Sequence, residues 1–372
     1  MRFPSRRNLV RTVPHEEGLA VRKLFLSPSD WQTELSLLKR MSKLNVPQVF
    51  AALPGILLME YLPFPTLLDV LERQEQDGFA APPWQALHRW LVQAYDSVGL
   101  LPGDGNLRNF LWDADAGRIY GIDLEEYRAA SLPETLAQIA AFILEYVPQD
   151  TPVKRQAARI LFDGDPARER EKLRQRRAIR RSADPARPFS FILLAGGAST
   201  RMGRDKALLP IFGSSLLELQ LDKARLLGSD DILISGARDP AENARIIPDI
   251  VPNRGPLGGL HACLGAAKHP HCIVLSVDAP LIPAGLLREM AQVHAEGGAS
   301  ITMAVHGERW EPLVGVYDSA LAAAIEPLIQ EHGAPVRALI ESCACRRWRT
   351  QLPERFWTNC NTPEAYQSLI SG

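Results

Sequence analysis

From Phe189 onward, apolar and polar positions fall in blocks. FSFILLAGG is a short apolar run closed by glycines, LLELQLDKARLLG has helical spacing, and DDILISGA is a second apolar run. HCIVLSVDAP repeats the strand signal and IPAGLLREMAQVHAEGG the helix signal. Strands alternating with helices predict an α/β domain with a doubly wound, mostly parallel sheet. A sheet of that kind binds ligands at the carboxyl ends of its strands. Before Asp163 the order is different. LAVRKLFL and GILLMEYLP are predicted strands, WQTELSLLKRMSKL is a helix between them, and WQALHRWLVQAYDSVGLL is an apolar helix running into a polar loop. Few strands followed by helices predict an α+β domain.

The two patterns meet in DGDPAREREKLRQRRAIRRSADPARP, where nearly every apolar position is lost. The expected division is a first domain at 1–162, a charged linker or helix at 163–187, and a second domain at 188–372. The Arg-rich run reads as a solvated segment. With 42 Lys and Arg against 43 Asp and Glu, no global field draws the chain toward nucleic acid or acidic lipid. Five cysteines without a CxxC pair suit a reduced compartment. The basic start MRFPSRRNLV has no apolar run after it and no membrane-spanning stretch follows, so a soluble, cytoplasmic protein is expected. His269 and His271, either side of Pro270, read as surface residues because no carboxylate or Cys lies at ligand spacing.

The stretch LLAGGASTRMGRDKALLP carries the chemistry of the second half. It has neither the Walker spacing nor the dinucleotide spacing. Gly196 and Gly197 fall just past a strand's carboxyl end, where missing side chains let backbone N–H groups approach a phosphate. Arg201 and Lys206 supply positive charge for the phosphates and the departing pyrophosphate. Asp278, directly after the apolar run CIVLSV, is placed to hold Mg²⁺ together with phosphate oxygens. The competing reading, an Asp that caps the next helix, is weaker in that company. Asp249 stands at another strand end and Gly255 at the mouth of a helix. Asn361 lies in a loop before a helix begun by Pro363. Taken alone, the last two serve equally well as helix punctuation.

LAGGASTRMGRDKALL, PDIVPNRGPLGGL, LSVDAPLIP, EPLVGVY and NCNTPEAY, in that order, resemble the molybdenum cofactor guanylyltransferase family across about half the chain. The resemblance implies a Rossmann-like nucleotidyltransferase that moves GMP from GTP, with Mg²⁺, onto the terminal phosphate of molybdenum-bound molybdopterin and releases pyrophosphate. It implies that Leu194, Ala195, Gly196 and Gly197 hold the guanine nucleotide, Lys206 its phosphates, Asp249 the nucleoside and Asp278 the metal. Relatives on the same scaffold transfer cytidylyl groups to this cofactor, or nucleotidyl groups to sugar or polyol phosphates. The double glycine and the Asp205-Lys206 pair favour the guanylyl branch.

In the first half, Asp104 and Asn109 form a DxxxxN motif and Asp123 follows a short apolar run. Phosphoryl transfer from ATP uses one carboxylate to orient the acceptor hydroxyl, and a second with an amide to hold Mg²⁺. Lys23 and Glu34, on a strand and the following helix, suit an ion pair at the phosphates. These residues resemble the small-molecule and lipopolysaccharide kinase branch of the protein-kinase-like superfamily, although PGD stands where HGD is usual and no glycine-rich loop precedes Lys23. The resemblance implies ATP as a ligand, with Asp104 as the catalytic carboxylate and Asn109 and Asp123 on the metal. A binding module that keeps the fold without catalysis is the other reading. A kinase fused to a transferase would also suit a phosphorylated sugar or polyol in place of a pterin.

Overall fold

The computed structural model describes the chain except residues 1, 4–7, 17, 182–187, 197–205, 237–242, 331–333 and 372, and describes only backbone at 2–3, 176–181 and 370–371. It divides into two compact units. One comprises Met1–Pro28, Ala51–Leu58 and Arg187–Gly372, and the other Ser29–Phe50 and Met59–Ala186. The N-terminal strands thus group by compactness with the C-terminal half.

The first unit is built on a seven-stranded sheet. Its spatial order is Arg245–Ile247, Asp231–Ser235, Ser190–Leu194, His271–Ser276, Arg309–Asp318, Ile301–His306 and Cys345–Arg349. The first four strands are mutually parallel. Arg309–Asp318 runs antiparallel to both neighbours, and Cys345–Arg349 is parallel to Ile301–His306. The apolar runs are continuous because the sheet is covered on both faces. Phe191, Leu193, Ile273 and Leu275 enter a core with Leu216, Leu219, Leu287 and Met290 on one face. Ile192, Leu194, Cys272 and Val274 enter another with Leu257, Leu260, Cys263 and Leu339 on the opposite face. The expected α/β domain with a mostly parallel sheet is therefore present.

The hairpin formed by Asn8–His15 and Gly18–Phe25 belongs to this unit through charge as well as apolar packing. Leu24, Leu53 and Ile56 join the first of the two cores. Arg22 and Asp222 are fully buried and paired. The other oxygen of Asp222 accepts from Arg11 and from Arg225, each at 2.8 Å. Glu218 accepts from the same two guanidinium groups at 2.9 and 2.7 Å. Both acids sit on the Leu216–Leu226 helix, whose start is fixed by Ser215 accepting from the Glu218 amide.

The second unit is mainly helical, with Leu67–Asp77, Pro82–Val98, Leu132–Leu144, Pro152–Leu161 and Ala167–Arg181. Its helix starts follow sequence chemistry. Thr66 and Asp69 form a reciprocal capping box, and Ser131 and Thr151 cap helices that open with Pro at their first turns. The charged segment forms the Ala167–Arg181 helix, docked by Arg170 and Arg174, which both donate at 2.8 Å to the buried Glu145. An antiparallel pair, Leu101–Pro102 with Tyr127–Arg128, and a hairpin, Phe110–Asp113 with Arg118–Gly121, frame the loops bearing Asp104, Asn109 and Asp123. Gly121 permits this frame, since a Cβ there would lie 2.2 Å from the Trp90 ring.

Removing Asp222 leaves three guanidinium groups facing a site without its shared acceptor. Loss of one partner from a buried ion pair costs about 3–5 kcal/mol. Asp222→Ala is expected to lower the unfolding free energy of the full chain by that amount in urea titration. An unchanged midpoint would show that the cluster is not what joins the N-terminal strands to the unit.

Candidate active site

The Ser190–Leu194 strand has later strands on both sides. The chain adds Asp231–Ser235 and Arg245–Ile247 to one side, then crosses to add His271–Ser276 on the other. This reversal creates a crevice at the strands' carboxyl ends. Leu194 is in register with both Ser235 and Ser276. Pairing continues one step past the strands, with the Ala195 amide donating to Ser235 O at 2.9 Å and the Val277 amide to Leu194 O at 3.0 Å. Gly196 and Asp278 therefore emerge side by side from neighbouring strands.

The glycines are required by close backbone approach. Gly236 has φ +79°, and a Cβ on it would lie 2.2 Å from the Gly196 Cα. One loop passes against the other with no room for a methyl group. Gly259 likewise faces Ser235, whose hydroxyl would lie 2.2 Å from an added Cβ. That hydroxyl donates to Asp249 at 3.0 Å and so fixes the carboxylate beside the mouth of the Gly255–Ala266 helix. Gly255 opens this helix at φ +59°, a left-handed conformation that favours glycine.

On the other side of the crevice, Lys206 donates to Asn361 Oδ1 at 2.7 Å, and its Nζ lies 3.9 Å from Asp278 Oδ2. The Cys360 amide donates to the Asp278 carbonyl at 2.8 Å, tying the C-terminal segment to the same loop. Lys206 and Asp278 keep about a fifth to a quarter of their side-chain surface exposed, so both are accessible to a ligand. Of the residues singled out from sequence, Leu194, Ala195, Gly196, Lys206, Asp249, Gly255, Asp278 and Asn361 all lie at this edge of the sheet. Gly197 and Arg201 lie outside the described residues.

Sequence reasoning passed over the residues behind this edge. Gln220 is buried and donates to the Ser276 carbonyl at 3.0 Å, and Lys223 donates to the Pro280 carbonyl at 2.6 Å. Together they brace the loop that carries Asp278 from both sides. In sequence they are polar letters on a helix, and only their burial reveals them. The strand-end pair Ser235-Gly236 was legible, because a glycine after an apolar run is the same signal that marked Gly196.

In the second unit, Asn109 donates to Asp104 at 3.2 Å and the Ile122 amide donates to the Asn109 carbonyl at 2.8 Å. This brings the DxxxxN loop beside the segment bearing Asp123. Asp123 itself is left-handed, at φ 61° and ψ 60°. Its carboxylate approaches those of Glu34 and Glu125, with one oxygen from each within 4.8 Å of the others. Burial and the charges of Asp123, Asp104 and Glu34 push the Tyr127 hydroxyl well above its ordinary range. Lys23, on the Gly18–Phe25 strand of the first unit, is buried, with its Nζ 4.8 Å from the centre of the Phe25 ring.

A glycine-lined crevice at a topological switch point, with an acid, an amide and a lysine on its rim, defines a nucleotide-handling α/β domain. Residues 191–349 match the MobA-like NTP transferase domain family. The chain is 34% identical over 188 residues to the molybdenum cofactor guanylyltransferase of Xanthomonas euvesicatoria pv. vesicatoria (strain 85-10), a match covering 50% of this chain and 95% of that protein. It is also 34% identical over 185 residues to the molybdenum cofactor guanylyltransferase of Pseudomonas syringae pv. syringae (strain B728a), covering 48% and 92%. A solved structure, the molybdopterin-guanine dinucleotide biosynthesis protein A from Archaeoglobus fulgidus, aligns with 20% identity over 49% of this chain and 97% of that one at a TM-score of 0.44. Through its C-terminal half, the chain belongs to the molybdenum cofactor guanylyltransferase family of MobA-like NTP transferases. Among the described residues, no helix is long and apolar enough to cross a membrane.

Burial pushes the Lys223 ammonium down to about 7 from an ordinary 10.5. Between those values the unfolded chain holds a proton that the folded chain has released, so stability gains from this group as pH rises. The slope is up to about 1.4 kcal/mol per pH unit. Lys223→Met is expected to flatten the alkaline limb of a stability profile measured by urea titration from pH 6 to 10. A limb that keeps its slope in the variant would mean that the proton is not lost at Lys223.

Proposed function

We propose that the C-terminal half transfers a guanylyl group from GTP to molybdenum-bound molybdopterin and releases pyrophosphate. The observation that carries this reading is the meeting of Gly196, Lys206, Asp278 and Asn361 at one strand-end crevice, within a family whose relatives are named for that activity. A terminal phosphate oxygen of the pterin attacks the α-phosphorus of GTP. The bond from that phosphorus to the bridging oxygen breaks, and pyrophosphate leaves with the bond's electron pair.

The close-packed loops at Gly196 and Gly236 present backbone to the nucleotide where side chains would exclude it. Asp249, oriented by Ser235, recognises the nucleoside. Lys206, with Arg201, stabilises charge on the phosphates as pyrophosphate departs. Asn361 holds the Lys206 ammonium at the rim, beside the acceptor. Asp278 is a hard oxygen donor, partly exposed and open to phosphate oxygens, which suits Mg²⁺. When bound, the ion neutralises phosphate charge and helps align the triphosphate.

A second phosphate chemistry is favoured in the other unit by the Asn109–Asp104 hydrogen bond and by the approach of Asp123 to Glu34 and Glu125. In this reading the unit is a protein-kinase-like phosphotransferase. Asp104 orients an acceptor hydroxyl, and Asn109 and Asp123 supply oxygen ligands suited to Mg²⁺.

Incubating the chain with Mg²⁺, each of the four nucleoside triphosphates, and either molybdenum-loaded molybdopterin or a panel of sugar phosphates separates the alternatives. Pyrophosphate release with GTP and the pterin is expected. Release only with CTP, or only with a sugar phosphate, would replace this reading with one of its scaffold relatives. Asp278→Asn is expected to reduce turnover by about 10²–10³ with an unchanged melting temperature, and undiminished turnover would remove Asp278 from the metal. ATP consumption that disappears in Asp123→Ala is expected of the second unit. Identical consumption by the variant and the parent chain would leave it a binding module.

A further inference from the structure

The reading of His271 as a plain surface residue changes once the chain is folded. His271 begins the strand that ends at Ser276, and it lies directly opposite Asp318 on the neighbouring antiparallel strand. His294, in the last turn of the Ala284–Ala295 helix, reaches the same acid. His271 Nδ1 and His294 Nε2 each lie 3.0 Å from Asp318 Oδ1. The two rings are 5.0 Å apart between centres and nearly perpendicular, and the three ligand atoms lie within 4.8 Å of one another. In sequence the acid is 47 residues from His271, beyond the reach of any spacing rule.

We propose that His271, His294 and Asp318 form a binding site for a divalent transition metal of the zinc type, separate from the nucleotide crevice. Neighbouring ligand atoms in a tetrahedral zinc site are about 3.3 Å apart, given bonds near 2.0 Å. Two edges of the triad are already within a few tenths of an ångström of that length. Two imidazoles and a carboxylate form a donor set that zinc accepts, leaving a fourth position for water. Solvent can reach that position, since about a third of the His271 and Asp318 side chains is exposed.

Two features around the triad support the assignment. Thr302, fully buried on the Ile301–His306 strand, has its hydroxyl 3.0 Å from His294 Nδ1. It thereby orients the ring and directs Nε2 at the site, the arrangement that second partners of metal-bound histidines adopt. The C-terminal end of a helix also favours positive charge, and His294 belongs to such an end. The charged neighbour Arg346 is engaged with the carbonyls of Val293 and Gly297 at 2.7 and 2.9 Å. Because His271 and Asp278 lie at opposite ends of one strand, the site is roughly 20 Å from the crevice. Its metal therefore clasps a strand start, a strand end and a helix end without entering the transfer reaction.

Titrating the full chain with Co²⁺ tests this. A tetrahedral d–d absorption band is expected to saturate at one equivalent, to be displaced by Zn²⁺, and to persist in Asp278→Asn, which separates it from the Mg²⁺ position. His271→Ala is expected to abolish the band while guanylyl transfer continues. Thr302→Val is expected to weaken Zn²⁺ binding by about 10–100-fold. Zn²⁺ should raise the melting temperature of the parent chain and not that of His271→Ala. Absence of a band in the parent chain, or an undiminished band in His271→Ala, would overturn the proposal.

Discussion

Everything at the candidate active site depends on two parallel strands ending together. Ser190–Leu194 and His271–Ser276 pair without a slip, and hydrogen bonding continues to the Val277 amide. A shift of one residue would turn each side chain to the opposite face. Phe191 and Leu193 would then exchange cores with Ile192 and Leu194, and Asp278 would leave the level of Gly196. Both faces are filled by helices, so the register is held by the packing of two cores. The placement of a carboxylate beside a bare glycine loop follows from hydrophobic burial along the whole strand.

That constraint explains why polar residues lie deep behind the site. A loop turning sharply after a buried strand leaves carbonyl groups without partners from the sheet, and an unpaired buried carbonyl is costly. Gln220 and Lys223 meet this demand from the Leu216–Leu226 helix, reaching the carbonyls of Ser276 and Pro280. The same helix turns Asp222 and Glu218 toward Arg11 and Arg22. One short helix thus supports the acid-bearing loop with its amide and amine, and anchors the N-terminal hairpin with its carboxylates.

Strands and helices of the C-terminal half were legible because their signals are local. An apolar run closed by glycine, or a capping serine before helical spacing, needs no distant partner, and the motif residues therefore fell at the expected strand ends. The charged segment, open between linker and helix in the sequence, forms a helix at Ala167–Arg181, and its docking on Glu145 was hidden, since nothing in a run of Arg and Glu tells which face meets a buried acid. Long-range pairing was the hidden part. His271 acquires Asp318 through strand registry and His294 through helix packing, and neither relation leaves a spacing in the chain. Lys223 lies in a run of helical spacing that says nothing of its burial, and its carbonyl partner explains how an amine is tolerated in a core.

The grouping of the N-terminal strands with the transferase half rests on apolar packing and buried ion pairs together. A hairpin attached only by apolar contact could separate at the cost of the area exposed, which is graded and repairable. Arg22 and Asp222 are both fully buried, so their pairing is geometrically specific and is made only while the hairpin is docked. Two further guanidinium groups, from Arg11 and Arg225, share the same carboxylate. Matches to relatives cover about half of this chain yet nearly all of those proteins, and the hairpin lies outside the matched family domain at 191–349. The transferase fold is extended here by strands from the opposite end of the chain, which meet its core through Leu24, Leu53 and Ile56 and through a buried ionic cluster.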